Sequence, residues 1–293
     1  KTGESTVLFE VKNETWHVAD WSPDDSKALL IRYLSVNESY PFLLDVKTGG
    51  RRAIPIPGDI KAAHDALAFA DDKSVYLSSD AGGEFKQLAR VDLESMKYEW
   101  LTRDIPWDVT DLEVSKDRAA FVVNEDGLSK LHLLEGGKRR GVTLPMGTLG
   151  SLRFSEDGRR LGFTLSRPDA PRDVYTYDLE RNALDRWTYS EVGGLDPSRF
   201  VAPERLRVKS FDGLEVPAYL YRSKRERAPV ILLFHGGPEG QYRPDFGSVI
   251  QYWVNELGCE YVDAPVSGGE VGAKNAALTI MVGGTQATFD KVK

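Results

Sequence analysis

The sequence predicts a mainly β protein, a partial β-propeller of about four blades followed by a truncated α/β segment of about three parallel strands. Three features support this fold class. Strand-forming segments repeat before residue 200, the pattern changes at residue 201, and apolar runs then alternate with helical periodicity. We place the partial propeller at residues 1–200, the start of an α/β domain at 201–258 and a third segment at 259–293.

Four segments of the first domain share one layout, in which an apolar strand runs into a polar turn and then into a second apolar strand. They are "ADWSPDDSKALLIRY", "LAFADDKSVYLSS", "LEVSKDRAAFVV" and "LRFSEDGRRLGFTL". Equivalent positions are 21, 69, 114 and 154, which differ by 48, 45 and 40 residues. A third strand follows each segment and ends near Asp45, Asp92, Leu134 and Asp178. Short strands at such a period are typical of propeller blades, each of which buries its faces against its neighbours.

Paired carboxylates occur in two of the repeated turns, Asp24-Asp25 and Asp71-Asp72. Such pairs can bind a metal or act in acid/base chemistry, but Asp is also a preferred residue of tight turns. Because the pairs recur at the same place in the repeat, we interpret them as hairpin turns, and we predict no metal site.

After residue 201 the pattern becomes that of an α/β domain. "ERLRVKSFDGLEVPAYLYRS" predicts a hairpin that turns at Asp212-Gly213, and "APVILLF" predicts a strand buried on both faces. Val249, Ile250, Trp253, Val254 and Leu257 have helical spacing, with Gly258 as the expected C-cap. "EYVDAPV" and "LTIMVG" complete three predicted parallel strands. We expect such a small sheet to leave apolar edges uncovered, which favours aggregation.

Composition excludes several function classes. The 293 residues carry 38 Lys and Arg against 45 Asp and Glu, a net charge of −7, so no nucleic-acid footprint is expected. No apolar run approaches the length of a membrane helix, and no membrane association is predicted. The single cysteine, Cys259, rules out an internal disulfide and fits either cytoplasm or periplasm. No signal-peptide pattern occurs, and the compartment stays open.

Residues 1–258 resemble the prolyl oligopeptidase family of serine peptidases, and the specific part is "VKSFDGLEVPAYLY" followed by "PVILLFHGGPEGQYRPDF" and "QYWVNELG". The resemblance implies a propeller placed before an α/β-hydrolase domain, with a peptide as the substrate or ligand. It also implies that His235, Gly236 and Gly237 lie beside the oxyanion site, where negative charge develops during acyl transfer.

A serine peptidase of this type needs a nucleophilic Ser, a His base that follows it and an orienting Asp. The four histidines are His17, His64, His132 and His235, and none follows Ser267. No G-x-S-x-G elbow occurs either. We therefore predict no catalytic residue in this chain, and we expect it to be inactive as it stands.

Residues 260–293 resemble the β-hydroxyacid dehydrogenases through "VDAPVSGG", Gly272-Ala273 and "LTIMVGG". The resemblance implies that Ser267, Gly268 and Gly269 hold a substrate carboxylate. Ala276 departs from that family's usual Gly. The G-x-G-x-x-G turn that grips a dinucleotide is missing before residue 260, so no cofactor is expected, and NAD(P) only if the segment belonged to a complete dehydrogenase.

The two resemblances meet near Gly258 or Cys259, so we expect a join of two unrelated fragments there. Three functions remain open. The chain is a relative of prolyl oligopeptidase-type peptidases without the triad, a non-enzymatic propeller that binds a peptide or protein, or a fragment of an NAD(P)-dependent 3-hydroxyacid oxidoreductase.

Overall fold

The structure is a computed structural model that describes residues 3, 5–211, 213–233, 235–236, 240–263, 266–267 and 279–280. Four four-stranded antiparallel sheets, which we call blades 1 to 4, account for residues 15–186. A mixed sheet and one α-helix follow. The predicted mainly β fold class is confirmed.

Each blade runs in chain order from its first to its fourth strand. Blade 1 comprises β1 (Thr15–Trp21), β2 (Lys27–Ser35), β3 (Glu38–Asp45) and β4 (Arg51–Ala53). Blade 2 comprises β5 (His64–Asp71), β6 (Ser74–Ser79), β7 (Gln87–Asp92) and β8 (Tyr98–Trp100). Blade 3 comprises β9 (Asp108–Ser115), β10 (Arg118–Glu125), β11 (Leu128–Glu135) and β12 (Lys138–Val142). Blade 4 comprises β13 (Thr148–Phe154), β14 (Arg160–Arg167), β15 (Ala170–Asp178) and β16 (Ala183–Arg186). Short 3-10 turns occupy Pro57–Asp59, Asp80–Gly82 and Pro197–Arg199.

The blades stack face to face, and the first strands of neighbouring blades contact one another. One apolar core joins blades 1 and 2 around Leu29 and Leu77, and another joins blades 3 and 4 around Val122 and Phe163. A blade buries both faces only when neighbours cover it, which explains why a four-fold sequence repeat folds as one stack.

Side-chain caps explain why the turns repeat in the sequence. Asp45 Oδ1 accepts hydrogen bonds from the backbone N–H and the hydroxyl of Thr48, and Asp92 caps Ser95 in the same way. In the first hairpin of blade 1, Asp24 Oδ1 accepts from the N–H of Ser26, and hydrogen bonds from the Ser22 hydroxyl and from Ser26 lower the pKa of Asp24 to about 2. Asp24 and Asp25 lie between β1 and β2, and Asp71 and Asp72 lie where β5 turns into β6, so both carboxylate pairs lie at hairpin turns.

The mixed sheet contains β17 (Glu204–Lys209), β18 (Glu215–Tyr221), β19 (Val230–Leu233) and β20 (Glu260–Asp263), and α1 (Ser248–Asn255) connects the last two strands. The strand order is β17-β18-β20-β19. Strands β19 and β20 are parallel, whereas β18 pairs antiparallel with both β17 and β20. The strands on either side of the predicted join thus lie side by side in one layer.

The described part of the third expected parallel strand does not join this sheet. That part, β22 (Thr279–Ile280), pairs antiparallel with β21 (Val266–Ser267) in a separate two-stranded ladder. The predicted turn residue Asp212 lies outside the described residues. Its neighbour Gly213 has φ +88, a value that favours glycine.

Helix α1 covers the parallel pair with Ile250, Trp253 and Val254, which pack on Tyr221 and Tyr261. Two residues of the predicted apolar stripe point outward, since Val249 and Leu257 are about half exposed. Gln251 is buried in their place, with 1% of its surface exposed. No helix in the described part of the chain is long and apolar enough to cross a membrane.

Candidate functional site at the junction of blades and mixed sheet

The first candidate residues follow the carboxyl end of β19. His235 is half-buried, and its Nδ1 lies 3.4 Å from the carbonyl oxygen of Gly236. A Cβ on Gly240 would overlap that same carbonyl oxygen, so Gly236 and Gly240 can approach each other this closely only because residue 240 is glycine. Gly236 has open space where a side chain would project. The third predicted residue, Gly237, lies outside the described residues.

The chain that leaves this loop lies directly against blade 3. Arg243 donates from Nε to the carbonyl oxygen of Gly127 at 3.0 Å and from Nη2 to Ser129 Oγ at 2.9 Å. Asn124 Nδ2 donates to Gln241 Oε1 at 2.8 Å. Burial lowers the pKa of the Arg243 guanidinium, which is half-enclosed between the two parts. These bonds hold residues 241–243 against the end of blade 3 at which β10 turns into β11.

An ion cluster centred on Asp126 makes the second set of contacts. Asp126 occupies the turn between β10 and β11, is 2% exposed, and has φ +52. Its carboxylate accepts from Arg207 and, at 3.3 Å, from Arg205, both on β17. Tyr219 of β18 donates its hydroxyl to the Asp126 carbonyl oxygen at 2.6 Å. The blade turn is therefore held from two strands of the mixed sheet.

Blade 4 contacts the segment that leads into α1. The hydroxyl of Thr148 donates to Asp245 Oδ1, and the N–H of Phe246 donates to Ser166 Oγ at 3.2 Å. Gln251 then links three segments. Its Nε2 donates to the carbonyl oxygens of Pro168 at 2.9 Å and Val201 at 2.8 Å, and its Oε1 accepts from the Val201 N–H at 2.9 Å.

The unit β19-α1-β20 can be compared with a dinucleotide-binding βαβ unit through these same contacts. A nucleotide pyrophosphate needs a short glycine turn that opens directly onto a helix N-terminus. Here residues 234–247 separate β19 from α1, and Asp245 and Phe246 before the helix are held against blade 4. The described residues at this helix start do not fit NAD(P).

The histidines do not assemble a hydrolytic triad in the described part of the chain. His17 is exposed on β1, and His132 stacks on Phe121 with ring centroids 5.0 Å apart. His64 Nδ1 lies 3.3 Å from Ser39 Oγ, but Ser39 is 2% and His64 5% exposed, so no substrate reaches that pair. Among the described residues no group of three His, Cys, Asp or Glu side chains is placed to hold a metal.

Ser267 of the second candidate set follows β20, the strand that pairs with β19. Leu233 pairs with Asp263, so the two parallel strands end at the same edge of the sheet. His235 comes two residues after one of these strand ends and Ser267 four residues after the other. Gly268 and Gly269 lie outside the described residues.

Sequence reasoning missed the junction residues Asp126, Arg243 and Gln251. Only Gln251 left a signal, because a Gln within the apolar stripe of a short helix marks a buried polar contact. Asp126 and Arg243 resemble ordinary turn and loop residues until their partners are known.

Solved structures with a similar fold are prolyl oligopeptidases and related hydrolases. A structure from a study of two prolyl endopeptidases matches 92% of this chain and 41% of its own, with a TM-score of 0.75 and 19% identity. Prolyl oligopeptidase B from Galerina marginata matches 89% of this chain and 40% of its own, with a TM-score of 0.72 and 15% identity. A puromycin hydrolase matches 85% of this chain and 41% of its own, with a TM-score of 0.71 and 18% identity. At these identities the likeness shows the fold, and the chain spans about two fifths of these proteins.

The C-terminal segment matches different proteins by sequence. A family model described as the NAD binding domain of 6-phosphogluconate dehydrogenase matches residues 244–293. The 2-hydroxy-3-oxopropionate reductase of Escherichia coli is 65% identical over 40 residues, 14% of this chain and 14% of the reductase. The mitochondrial 3-hydroxyisobutyrate dehydrogenase of Drosophila melanogaster is 48% identical over 50 residues, 17% of this chain and 15% of the enzyme. The match to the family model begins before α1, upstream of the join expected at residue 258.

Proposed function

We propose that this chain is the blade-and-junction portion of a prolyl oligopeptidase-type fold and that it binds a peptide between the blades and the His235 loop. One observation carries the proposal. The loop after β19 continues into residues that hydrogen-bond directly to blade 3, in a chain that is similar to such peptidases over 92% of its length. A peptide held there would lie beside the carboxyl edge of the parallel strands, where sites of open α/β sheets form.

We further propose that residues 1–293 bind such a peptide without hydrolysing it. Peptide cleavage requires a raised nucleophile, a base within hydrogen-bond reach and a group that orients the base. The chain contains no G-x-S-x-G elbow and no histidine after Ser267, the sequence features that a triad of this type requires. The role left to His235 and Gly236 is to contact the peptide.

A chromogenic proline substrate, succinyl-Gly-Pro-p-nitroanilide, tests both statements. We expect saturable binding in calorimetry, no release of p-nitroaniline, and no labelling by a fluorophosphonate probe. His235→Ala is expected to weaken binding severalfold, whereas His17→Ala, an exposed histidine on blade 1, leaves it unchanged. Turnover that a fluorophosphonate blocks would refute the inactive assignment, and equal binding by both variants would refute the site.

The sequence match of residues 244–293 favours a second candidate, a carboxylate-binding loop at Ser267 inherited from a hydroxyacid dehydrogenase. A serine hydroxyl beside glycine backbone N–H groups is suited to bind an anion. Tartronate is the probe, and Ser267→Ala should abolish its binding while the proline substrate still binds. Binding of tartronate that is equal in wild type and variant would exclude this candidate.

We also propose that two unrelated fragments are joined in this chain between α1 and β20. A peptide that spans Glu256 to Asp263, found by mass spectrometry in a digest of the native source, is the expected result. Only peptides that diverge from this sequence on one side of Gly258 would contradict the join.

A further inference from the structure

A cavity lies at the end of the blades that faces away from the junction. It has a volume of about 630 Å³ and is lined where the first strands of blades 1, 2 and 3 end. Strand β10 runs from Arg118 near this cavity to Glu125 near the junction, and eight residues of strand span about 25 Å. The cavity is therefore separate from the His235 loop, and a ligand site in it would be independent of the proposed function.

Four carboxylates and two cations line the cavity, so it carries an excess of negative charge. Asp71 is paired with Arg90 at 2.7 Å and Glu113 with Arg153 at 2.5 Å. The remaining lining cation, Lys116, directs its Nζ to the carbonyl oxygen of Asp157 at 3.4 Å.

Two lining carboxylates have no cationic partner in the described part of the chain. Asp20 accepts only the backbone N–H groups of Trp21 and Phe69, each at 2.8 Å. Asp72 is exposed, and no Lys or Arg among the described residues forms an ion pair with it. Two negative charges thus face the cavity uncompensated, in a protein whose net charge of −7 adds to the local potential.

The walls of the cavity suit the stem of a basic side chain. Trp21 lines the cavity and is 48% exposed, although tryptophan is usually well buried. Ala68, Ala70 and Leu112 also line the cavity and add apolar surface to it. A Lys or Arg side chain packs its methylene groups on such a surface and places its charge over an aromatic face or beside a carboxylate.

We infer that this cavity is a binding site for a Lys or Arg side chain of a peptide or protein partner. The charged head would lie between Asp20 and Asp72, and Trp21 would cover the stem. Glu113 supports this assignment, because burial raises its pKa despite the nearby Arg153, and a further cation would stabilise its charged form.

The test uses the full chain and three fluorescent peptides, acetyl-Gly-Arg-Gly-Gly, the same peptide with norleucine in place of arginine, and the same with glutamate. We expect only the arginine peptide to bind, and to bind less tightly as salt rises from about 0.05 M to about 0.5 M. Asp72→Asn should weaken binding about two- to fivefold, the effect of one exposed charge pair, and the double variant with Asp20→Asn should weaken it further. Trp21→Leu should weaken it as well, at unchanged charge.

Asp117→Asn is the matched control, because Asp117 is an exposed turn carboxylate next to Lys116 that does not line the cavity. It should leave the affinity unchanged. Equal binding of the norleucine peptide, an unchanged affinity in Asp72→Asn, or an equal loss in Asp117→Asn would each overturn the inference. Asp72 lies on an exposed turn, so a circular dichroism spectrum like that of the wild type is expected for its variant.

Discussion

Gln251→Leu should loosen the junction between the blades and the mixed sheet. The substitution keeps the apolar bulk of the side chain and removes an amide that is 1% exposed. The Val201 N–H and the carbonyl oxygens of Val201 and Pro168 lose their partner. An unsatisfied buried polar group costs about 1 to 3 kcal/mol.

The lower end of that range applies, because Val201 is half-buried and water reaches part of it. Three groups at about 1 kcal/mol each give a loss of about 3 kcal/mol in the free energy of unfolding of the mixed sheet. For a chain of this size the melting temperature should fall by about 6 to 12 °C. Hydrogen exchange should accelerate first at the Val201 amide, ahead of amides in the blade strands.

Gln241→Leu is the matched control in the same interface. Gln241 is exposed and accepts one hydrogen bond from Asn124, so its loss should cost no more than about 0.5 kcal/mol. Thermal unfolding by calorimetry and exchange at Val201 by mass spectrometry measure both variants. A loss below about 0.5 kcal/mol in Gln251→Leu, or equal losses in the two variants, would show that Gln251 does not hold the junction.

Three other buried polar groups give measurable effects on stability. Burial lowers the pKa of His64 to about 4, so between about pH 6.5 and pH 4 the unfolded chain binds a proton at His64 that the folded chain does not bind. The free energy of unfolding should therefore fall by up to about 3 kcal/mol as the pH drops through this range. Urea titrations at several pH values should find a weaker dependence of this free energy on pH in His64→Gln, and an unchanged pH dependence would contradict the assignment. Tyr98→Phe should raise the free energy of unfolding by about 1 kcal/mol, since the buried Tyr98 hydroxyl has no partner among the described residues; a lower melting temperature would refute this. Asp126→Asn keeps the turn but removes the charge that pairs with Arg207. In a double-mutant cycle with Arg207→Gln, the coupling energy between the two residues should be about 1 to 2 kcal/mol. A coupling energy near zero would contradict this ion pair.

Local chemistry explains why the blades could be predicted from the sequence. Asp24, Asp45 and Asp92 cap turns within a few residues of themselves, so each turn is encoded where it forms. The helix and the parallel pair around it were also predictable, because apolar periodicity reports burial directly.

The junction could not be predicted, since its bonds join residues far apart in the chain. Asp126 and Arg207 are 81 residues apart, and neither has a distinctive neighbour in sequence. The antiparallel pairing of β18 with β20 is also a long-range choice that no local pattern encodes. Val249 and Leu257 are exposed, whereas Gln251 is buried. Hydrophobic periodicity predicts the reverse, because it assigns apolar residues to the buried face and a polar Gln to the exposed face.

Helix α1 has a consequence for tracing the ancestry of this chain. It lies both in the span that resembles peptidases and in the span matched by a dehydrogenase model. Covering two parallel strands demands only that a few side chains such as Ile250 and Val254 face inward. A helix from either family meets that demand, so the backbone of α1 would not reveal a join of two fragments within the helix. For the proposed join, the two resemblances therefore differ past the strand ends, at His235 and at Ser267, and not in the helix between them.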